Sequence, residues 1–273
     1  MPSVLYRLVA LDIDGTILSQ YGQVSDYMNE ILLECEARGV HIVVATGRSL
    51  ISAESFTKNL SAISSVVSFQ GALITEPRTV VPKWRKLMTA EHVEEAMDYL
   101  DTKKFQVVGY VNNYIVVEHV TPWVKAYSER NGLKVQVVGN IRDIDKFPYR
   151  LLVVGDEEHI ALAEADMQSE FGNRLYVTRS LPNFCEILNS EAGKERALSW
   201  LCSENGLTQE EVVSFGNGFN DIPMLEWSGL GVAIQDSDAL VLDASDDTAS
   251  NADRDGVASY LGGLLNKNLL GDG

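Results

Sequence analysis

The sequence predicts an α/β protein, in which a Rossmann-like core with a parallel sheet is interrupted by an inserted α+β domain. Three observations predict this fold. Apolar strand patterns alternate with amphipathic helix patterns near the N-terminus, a block richer in paired strands follows, and the alternation then returns. Alternating strands and helices favour a parallel sheet with right-handed crossovers. We therefore assign residues 1–82 and 189–273 to the core and residues 83–188 to the inserted domain.

The first third of the chain predicts three buried strands separated by two helices. The first helix pattern is the most complete, because Ser25 can cap its start, Gly39 can end it, and its apolar residues share one face. The first strand is aliphatic and ends at an Asp-Gly pair. The predicted strands are 4–13, 41–46 and 64–69, and the predicted helices are 25–38 and 49–60.

The pattern changes after Pro82, where strands come in closer succession. Asn112 and Asn113 are turn-prone and lie between two β-branched runs, which predicts an antiparallel hairpin. The block therefore reads as α+β. Its predicted strands are 105–110, 114–119, 134–138, 149–155, 174–178 and 184–188, and its predicted helices are 89–101, 122–131 and 157–171.

The α/β alternation returns with an amphipathic helix over 193–206, which Gly206 ends. A strand over 212–216, a short helix over 222–228 and a strand over 231–234 follow. The segment 236–255 holds seven aspartates and one arginine. We expect it to be a solvated loop or cap surface.

Composition limits the classes of function. The chain has 273 residues, 45% of them hydrophobic, and a formal net charge of −17. That charge argues against nucleic acid or an anionic membrane as the main partner. The three cysteines, Cys35, Cys185 and Cys202, have no metal-binding spacing and suggest buried thiols in a reducing compartment. No run is long enough for a signal peptide or membrane span, so we expect a soluble cytoplasmic protein, either a monomer or a homodimer.

Asp12 and Asp14 follow the first strand, two residues apart. Alternation along a strand places such residues on one side, so both carboxylates can face one crevice. One could then act as a nucleophile and the other as a general acid/base. The alternative is a polar strand exit, in which Asp and Gly serve only the turn.

Thr46 and Gly47 end the second strand, and Lys194 opens the helix after the inserted block. A hydroxyl and free N–H groups at a helix start suit a phosphate oxygen, and a lysine supplies a point charge to it. The alternatives are a threonine N-cap with a glycine for close packing, and a solvated lysine.

Asn217, Asn220 and Asp221 follow the strand over 212–216. Their oxygen atoms are of the type that Mg²⁺ prefers. The alternative is a loop that simply turns the chain. Taken together, four predicted strand or helix ends carry Asp-x-Asp, Thr, Lys and Asn/Asp in chain order, and this combination is more specific than any one of them.

The motifs DIDGT (12–16), ATGR (45–48), GKERAL (193–198) and GNGFND (216–221) resemble, in this order, the haloacid dehalogenase-like phosphatases. The resemblance is closer to the Cof-type branch, in which a large α/β cap is inserted between the second and third motifs. The block 83–188 has the matching place and size, and SNADRDGVASYL (250–261) resembles the ending of that branch. The resemblance covers nearly the whole chain.

The resemblance implies a Mg²⁺-dependent phosphomonoester hydrolase that acts on small soluble phosphates, with sugar phosphates as one class. Asp12 would form an aspartyl-phosphate, and Asp14 would protonate the leaving alcohol and then activate water. The implied phosphate-binding residues are Thr46, Gly47, Lys194 and Asn220. The implied metal ligands are Asp12, Asp14 through its main chain, and Asn217 and Asp221 of the fourth motif.

Two residues depart from the family pattern. Asn217 stands where the fourth motif normally has a second Asp, so it supplies no charge to a metal. This favours, as an alternative, a catalytically impaired phosphate-binding or regulatory protein; an engineered, ligand-trapping substitution and a phosphomutase are further alternatives. Gln70 stands where the third strand usually exits into Asn-Gly, and we expect that change to affect only the edge of the pocket.

Overall fold

The strands form one sheet of eight and one of six in the computed structural model, which describes residues 5–18, 22–60, 62–103 and 105–271. The predicted start of the first strand, residue 4, lies outside the described residues. The strands are β1 (Leu8–Leu11), β2 (His41–Ala45), β3 (Ser65–Ser68), β4 (Leu73–Thr75), β5 (Pro82–Arg85), β6 (Gln106–Val111), β7 (Tyr114–Val117), β8 (Lys134–Val137), β9 (Arg150–Val154), β10 (Leu175–Leu181), β11 (Phe184–Asn189), β12 (Val212–Gly216), β13 (Leu230–Ile234) and β14 (Asp247–Ala249).

Seven helices of the described residues lie where the sequence predicts them, with ends that differ by a few residues, whereas the last two, over 239–243 and 256–266, were not predicted. Ser25 caps the first helix by accepting a hydrogen bond from Met28 N at 3.0 Å, as predicted. The helices are α1 (Asp26–Ala37), α2 (Leu50–Thr57), α3 (Ala90–Leu100), α4 (Pro122–Asn131), α5 (Glu157–Phe171), α6 (Lys194–Asn205), α7 (Ile222–Trp227), α8 (Ala239–Asp243) and α9 (Gly256–Asn266). Across the described residues, no helix combines the length and apolar character needed to cross a bilayer.

The larger sheet has the order β14-β13-β12-β1-β2-β3-β4-β5. The strands from β14 to β3 are parallel, which confirms the predicted α/β core. Strand β1 lies between β2 and β12, so Leu8 pairs with both His41 and Val212. Because β12 comes from the C-terminal part of the chain, the larger sheet is built from segments that precede and follow the smaller sheet in the sequence.

Both faces of the larger sheet are buried, as expected for parallel strands. Val9 and Leu11 of β1 pack on one side with residues of α1 and α9. Leu8 and Ala10 face the other way and pack with residues of α6 and α7. The apolar runs of these parallel strands are therefore buried in the core, and Asp12 and Thr46 follow directly where β1 and β2 end.

The smaller sheet has the order β10-β11-β9-β6-β7-β8. Strands β6 and β7 form the predicted antiparallel hairpin, with Asn112 in a left-handed conformation at its turn. Helices α3 and α5 cover one face. The other face packs against α4 and the segment after β3, and alternation along β9 and β11 turns Arg150 and Glu186 towards that face.

The structure differs from the sequence-based description at three places. Residue 83, the predicted start of the insertion, lies inside β5, which pairs with β4 and extends the larger sheet. Strands β4 and β5 were not predicted, because the first is three residues long and the second is polar and exposed. The acid-rich segment 236–255 is more than a loop, because it forms α8 and the edge strand β14. The division of the chain into core and cap remains a prediction.

Candidate active site

A cavity of about 690 Å³ lies between the two sheets, at the carboxyl ends of the parallel strands. Residues after β1, β2, β3 and β12 form its floor, which is where ligands bind in open α/β sheets. Strands β6, β9 and β11 of the smaller sheet line the opposite side. The sequence-predicted residues that line this cavity are Asp12, Asp14, Thr46, Gly47, Asn217, Asn220 and Asp221.

Lys194 lies under this floor, fully buried at the start of α6. Its Nζ donates to Asp12 Oδ1 at 2.7 Å and to Asp221 Oδ1 at 2.6 Å. Burial disfavours the charged lysine, but the two carboxylates outweigh burial and raise the Lys194 pKa. Burial, followed by repulsion from Asp221, raises the pKa of Asp12, although Lys194 opposes this. The cluster therefore holds more negative than positive charge in a buried place.

Asp221 uses both of its carboxylate oxygens within the protein. Oδ1 accepts from Lys194, and Oδ2 accepts from the backbone N–H groups of Asn217 at 3.0 Å and Gly218 at 2.9 Å. A side chain at Gly216 would not fit, because an added Cβ would lie 2.5 Å from the Asp221 Cβ. Asp221 thus closes the loop after β12 onto itself, which favours a loop-shaping role over direct contact with an ion.

The Thr16 hydroxyl lies between Asp12 and Asn217. It is 3.3 Å from Asp12 Oδ2 and 3.0 Å from Asn217 Oδ1. A hydroxyl has one proton, so it can donate to only one of these two acceptors at a time. Gly15, with a φ of +81°, brings the chain close to Asn217, since an added Cβ would lie 2.4 Å from Asn217 Nδ2.

Asp14 lies at the exposed rim, with 58% of its side chain accessible. Arg48 holds its carboxylate in a bidentate contact, in which Nε donates to Oδ2 at 2.8 Å and Nη2 donates to Oδ1 at 2.5 Å. Two parallel bonds of this type fix the orientation of a carboxylate. Asp12 and Asp14 therefore share one cavity, as predicted, but one is buried and the other is exposed.

Thr46 and Gly47 occupy the turn after β2. Thr46 is buried, and its Oγ1 accepts from Arg48 N at 3.2 Å. Gly47 lies against Gln70, because an added Cβ would lie 2.4 Å from Gln70 Nε2. The turn therefore offers backbone groups to the cavity where a larger residue would be excluded.

Three further polar residues in the cavity wall were not identified as site residues from the sequence. Gln70 follows β3, and Arg150 and Glu186 come from the smaller sheet. Arg150 Nη1 forms a buried ion pair with Glu186 and also donates to the Gly47 carbonyl at 2.8 Å. The sequence did contain an indication of Arg150 and Glu186, because each is the single charged residue of an otherwise mostly apolar strand. Buried charges of this kind are rare without a partner.

The chemistry of the site fits a hard cation in part. Asp12 Oδ2 and Asn217 Oδ1 lie on either side of one hydroxyl, and both are oxygen ligands of the type that Mg²⁺ takes. The carboxylate of Asp221 pairs with Lys194, and the carboxylate of Asp14, whose main chain is the predicted ligand, pairs with Arg48. Within the described part of the chain, no group of three or more His, Cys, Asp or Glu residues forms a metal site.

Comparisons with known proteins identify the family and the fold. A family model described as haloacid dehalogenase-like hydrolase matches residues 9–261. The 5-amino-6-(5-phospho-D-ribitylamino)uracil phosphatase YcsE of Bacillus subtilis (strain 168) is 25% identical over 255 residues, which cover 93% of this chain and 94% of that protein.

Solved structures show the same fold over nearly the whole chain. A haloacid dehalogenase-like hydrolase from Bacteroides thetaiotaomicron is 26% identical with a TM-score of 0.78, covering 95% of this chain and 99% of that one. A structure titled as the subclass IIB sugar phosphatase BT4131 has a TM-score of 0.80 at 20% identity, covering 96% and 99%. The second likeness bears on the fold alone.

Proposed function

The chain belongs to the haloacid dehalogenase-like hydrolase family and is a phosphatase, and on this premise we propose that it hydrolyses phosphomonoesters of small soluble molecules through an aspartyl-phosphate at Asp12. One observation carries the proposal. Asp12 is buried at the end of the central strand, is held by Lys194, and lines a cavity whose other walls carry both polar and apolar side chains. A fixed carboxylate of this kind suits a nucleophile.

In the first proposed step, the Asp12 carboxylate attacks phosphorus. A new bond forms between an Asp12 oxygen and phosphorus, and the bond from phosphorus to the ester oxygen breaks. The leaving oxygen takes its electron pair and receives a proton from Asp14. The exposed rim position of Asp14 suits this role, because the leaving alcohol must depart towards solvent.

In the second proposed step, water attacks the phosphorus of the aspartyl-phosphate. Asp14 takes the proton from that water, the bond between phosphorus and Asp12 breaks, and inorganic phosphate and the free carboxylate result. Arg48 orients the ionised Asp14 through its two hydrogen bonds, and one of these contacts must open while Asp14 carries the proton that it gives in the first step. The same group thus gives and then takes a proton, as such two-step hydrolyses require.

Four residues are proposed to bind the phosphoryl oxygens. Thr46 and Gly47 offer a hydroxyl and backbone groups, Asn220 offers an amide, and Lys194 offers positive charge from below. Phosphoryl transfer depends on such positioning and charge neutralisation. Each of these groups is held by neighbouring residues before any substrate arrives.

Mg²⁺ is the proposed cofactor, and Asp12, the Asp14 main chain and Asn217 would hold it, while Asp221 shapes the loop around Asn217. When bound, it would supply positive charge that offsets the crowding of carboxylates and polarises the phosphoryl group. The sequence-based ligand set also contains Asp221, and its role as a further ligand remains a prediction.

Sugar phosphates are our leading substrate class. The wall opposite Asp12 combines arginine, tyrosine, serine and asparagine side chains with a few apolar ones, and such a wall suits a hydroxyl-rich leaving group. We also place this activity in the cytoplasm, since the three cysteines are free and buried.

The test is phosphate release from an aryl phosphate and from a panel of phosphorylated metabolites, with and without Mg²⁺. We expect Mg²⁺-dependent turnover that is lost in Asp12→Asn, with highest kcat/KM on a sugar phosphate. A folded protein that releases no phosphate at any Mg²⁺ concentration would refute the proposal.

A second candidate is a phosphate-binding protein of the same fold with impaired catalysis. The neutral Asn217 favours it, because this residue brings an oxygen to the site but no charge. Binding of orthophosphate without turnover, together with a large gain of rate in Asn217→Asp, would support this candidate.

A further inference from the structure

We propose that Gln70 is a positioning residue, which ties the orientation of Asn220 to Glu186 of the smaller sheet. The inference rests on the proposed function, since Asn220 is one of the proposed phosphate-binding residues. The sequence suggested that Gln70 changes only the edge of the pocket, whereas the structure places it at the centre of a buried chain of hydrogen bonds.

The chain of hydrogen bonds has defined directions. Asn220 Nδ2 donates to Gln70 Oε1 at 3.0 Å, and Gln70 Nε2 donates to Glu186 Oε1 at 3.1 Å. The three residues are between 1% and 8% exposed. An ionised carboxylate only accepts hydrogen bonds, so Glu186 fixes which end of the Gln70 amide faces it. Gln70 then presents its carbonyl to Asn220 and fixes the Asn220 amide in turn.

Beyond Glu186, the series of hydrogen bonds continues to the turn after β2 that holds Gly47. The second oxygen of Glu186 accepts from Arg150, and Arg150 Nη1 also donates to the Gly47 carbonyl at 2.8 Å. The smaller sheet therefore contacts two proposed phosphate-binding residues, Gly47 through Arg150 and Asn220 through Gln70. A shift of one sheet relative to the other would break both contacts.

The backbone around Gln70 indicates that the surrounding structure holds this side chain in its position. Phe69 and Gln70 both have left-handed conformations, with φ of 50° and 52°, which residues other than glycine adopt rarely. Such conformations persist only where the surrounding structure enforces them, and they cluster at functional sites. The next residue, Gly71, lies so close to Gly193 that an added Cβ would be 2.0 Å from the Gly193 carbonyl oxygen. The segment is thus pressed against the residue that precedes Lys194.

A separate contact joins the smaller sheet to the same loop. The guanidinium of Arg179 in β10 lies 4.4 Å from the centre of the Phe219 ring, next to Asn220. Arginine in this position is attracted to an aromatic face. Both contacts support the inference that the smaller sheet sets the geometry of the loop after β12.

Three variants test the inference: Gln70→Glu, Glu186→Gln and the double variant. Gln70→Glu opposes two carboxylates, and Glu186→Gln removes the charge that balances Arg150, so each single change should lower orthophosphate affinity and kcat/KM by about 10- to 100-fold. The double variant exchanges the amide and the carboxylate. Every hydrogen bond between Asn220, residue 70, residue 186 and Arg150 can then form again. We therefore expect orthophosphate affinity and kcat/KM to recover to within about threefold of the natural protein.

Gln106→Glu is the matched control. Gln106 lies at the start of β6, outside the cavity, where its Oε1 accepts from Thr121 at 3.2 Å. The change adds the same charge to the smaller sheet, and we expect phosphate affinity and kcat/KM to stay unchanged. Both single variants should also lose stability, because each leaves a buried charge unbalanced, so kcat and phosphate affinity are measured on folded protein well below its melting temperature. A purely structural role for Gln70 leaves both quantities unchanged in the folded protein, whereas a positioning role lowers both.

Orthophosphate binding, measured by calorimetry, separates this inference from the proposed function. Phosphate binding without turnover in the natural protein would refute the proposed function, but the single and double variants could still be compared by their phosphate affinity. No phosphate binding at all would overturn both. The inference alone fails if either single variant binds phosphate like the natural protein, or if the double variant is no better than the weaker single one.

Discussion

Replacing Asn217 by aspartate tests the metal side of the site most directly. The change preserves the size of the side chain and adds one negative charge, 3.0 Å from the Thr16 hydroxyl and on the opposite side of it from Asp12. The site already has two buried carboxylates that share one lysine. The added charge should therefore strengthen the binding of a cation and weaken the protein when no cation is present.

The magnitude follows from the charges. A unit negative charge about 4 Å from a divalent cation contributes roughly 2 kcal/mol in a water-like dielectric, which corresponds to about 30-fold in affinity. Without the cation, repulsion from the two carboxylates costs about 1 kcal/mol each at the same separation. A loss of this size lowers the melting temperature of a chain of this length by several degrees.

The assays are the Mg²⁺ concentration at half-maximal phosphatase rate and the melting temperature with and without Mg²⁺. Asn112→Asp is the control, because it adds the same charge at the exposed turn between β6 and β7. We expect the half-maximal Mg²⁺ concentration to fall about 30-fold in Asn217→Asp and to stay constant in the control. An unchanged or higher Mg²⁺ requirement in Asn217→Asp would refute the assignment of Asn217 to the metal site.

Three other predictions address the remaining groups. Asp12→Asn should lose turnover by at least ~10³-fold and Asp14→Asn should accumulate a covalent phosphate adduct, visible by intact-protein mass spectrometry; an adduct in Asp12→Asn would contradict the mechanism. Lys194→Met removes the buried cation between two carboxylates and should cost about 3–5 kcal/mol in urea unfolding, so a loss below ~1 kcal/mol would argue against a buried ion pair. Gly71→Ala should lower the free energy of unfolding by at least ~2 kcal/mol, because its φ is +90° and a carbonyl oxygen blocks the Cβ. The control Gly263→Ala in α9 has open space around the Cβ and should change that free energy by no more than ~1 kcal/mol. Equal effects of the two variants would refute this explanation.

The core of the fold was predictable because its parallel strands are apolar on both faces. The sequence therefore marks β1, β2, β3, β12 and β13 as continuous apolar runs with polar ends. Strand β5 reads PKWR and lies exposed at the sheet edge, so it has neither an apolar run nor an alternation that would identify it. Edge strands of this kind form because a neighbouring strand offers hydrogen bonds, which a single sequence does not reveal.

The floor of the site was predictable for a related reason. Parallel strands bring their carboxyl ends to one edge, so Asp12, Thr46 and Asn217 meet there although they are far apart in sequence. The sequence marks Arg150 and Glu186 as charges inside apolar strands, but it does not reveal their partners, since Glu186 meets Gln70 only because of how the two sheets pack. The contacts of Asp221 with Lys194 and with the backbone of its own loop were also hidden, because its residue type indicates only a possible metal ligand.

The central position of β1 has a consequence for the order of events during synthesis. Leu8 pairs with Val212, about 200 residues later in the chain. At about 5–20 residues per second, a ribosome takes roughly 10–40 s to complete that partner strand. During this time β1 has one unpaired edge, which is an aggregation hazard for a nascent chain. Residues 106–189 supply every strand of the smaller sheet, so the smaller sheet can be complete before the larger one. The larger sheet, which carries Asp12, is completed only when β12 to β14 have been made.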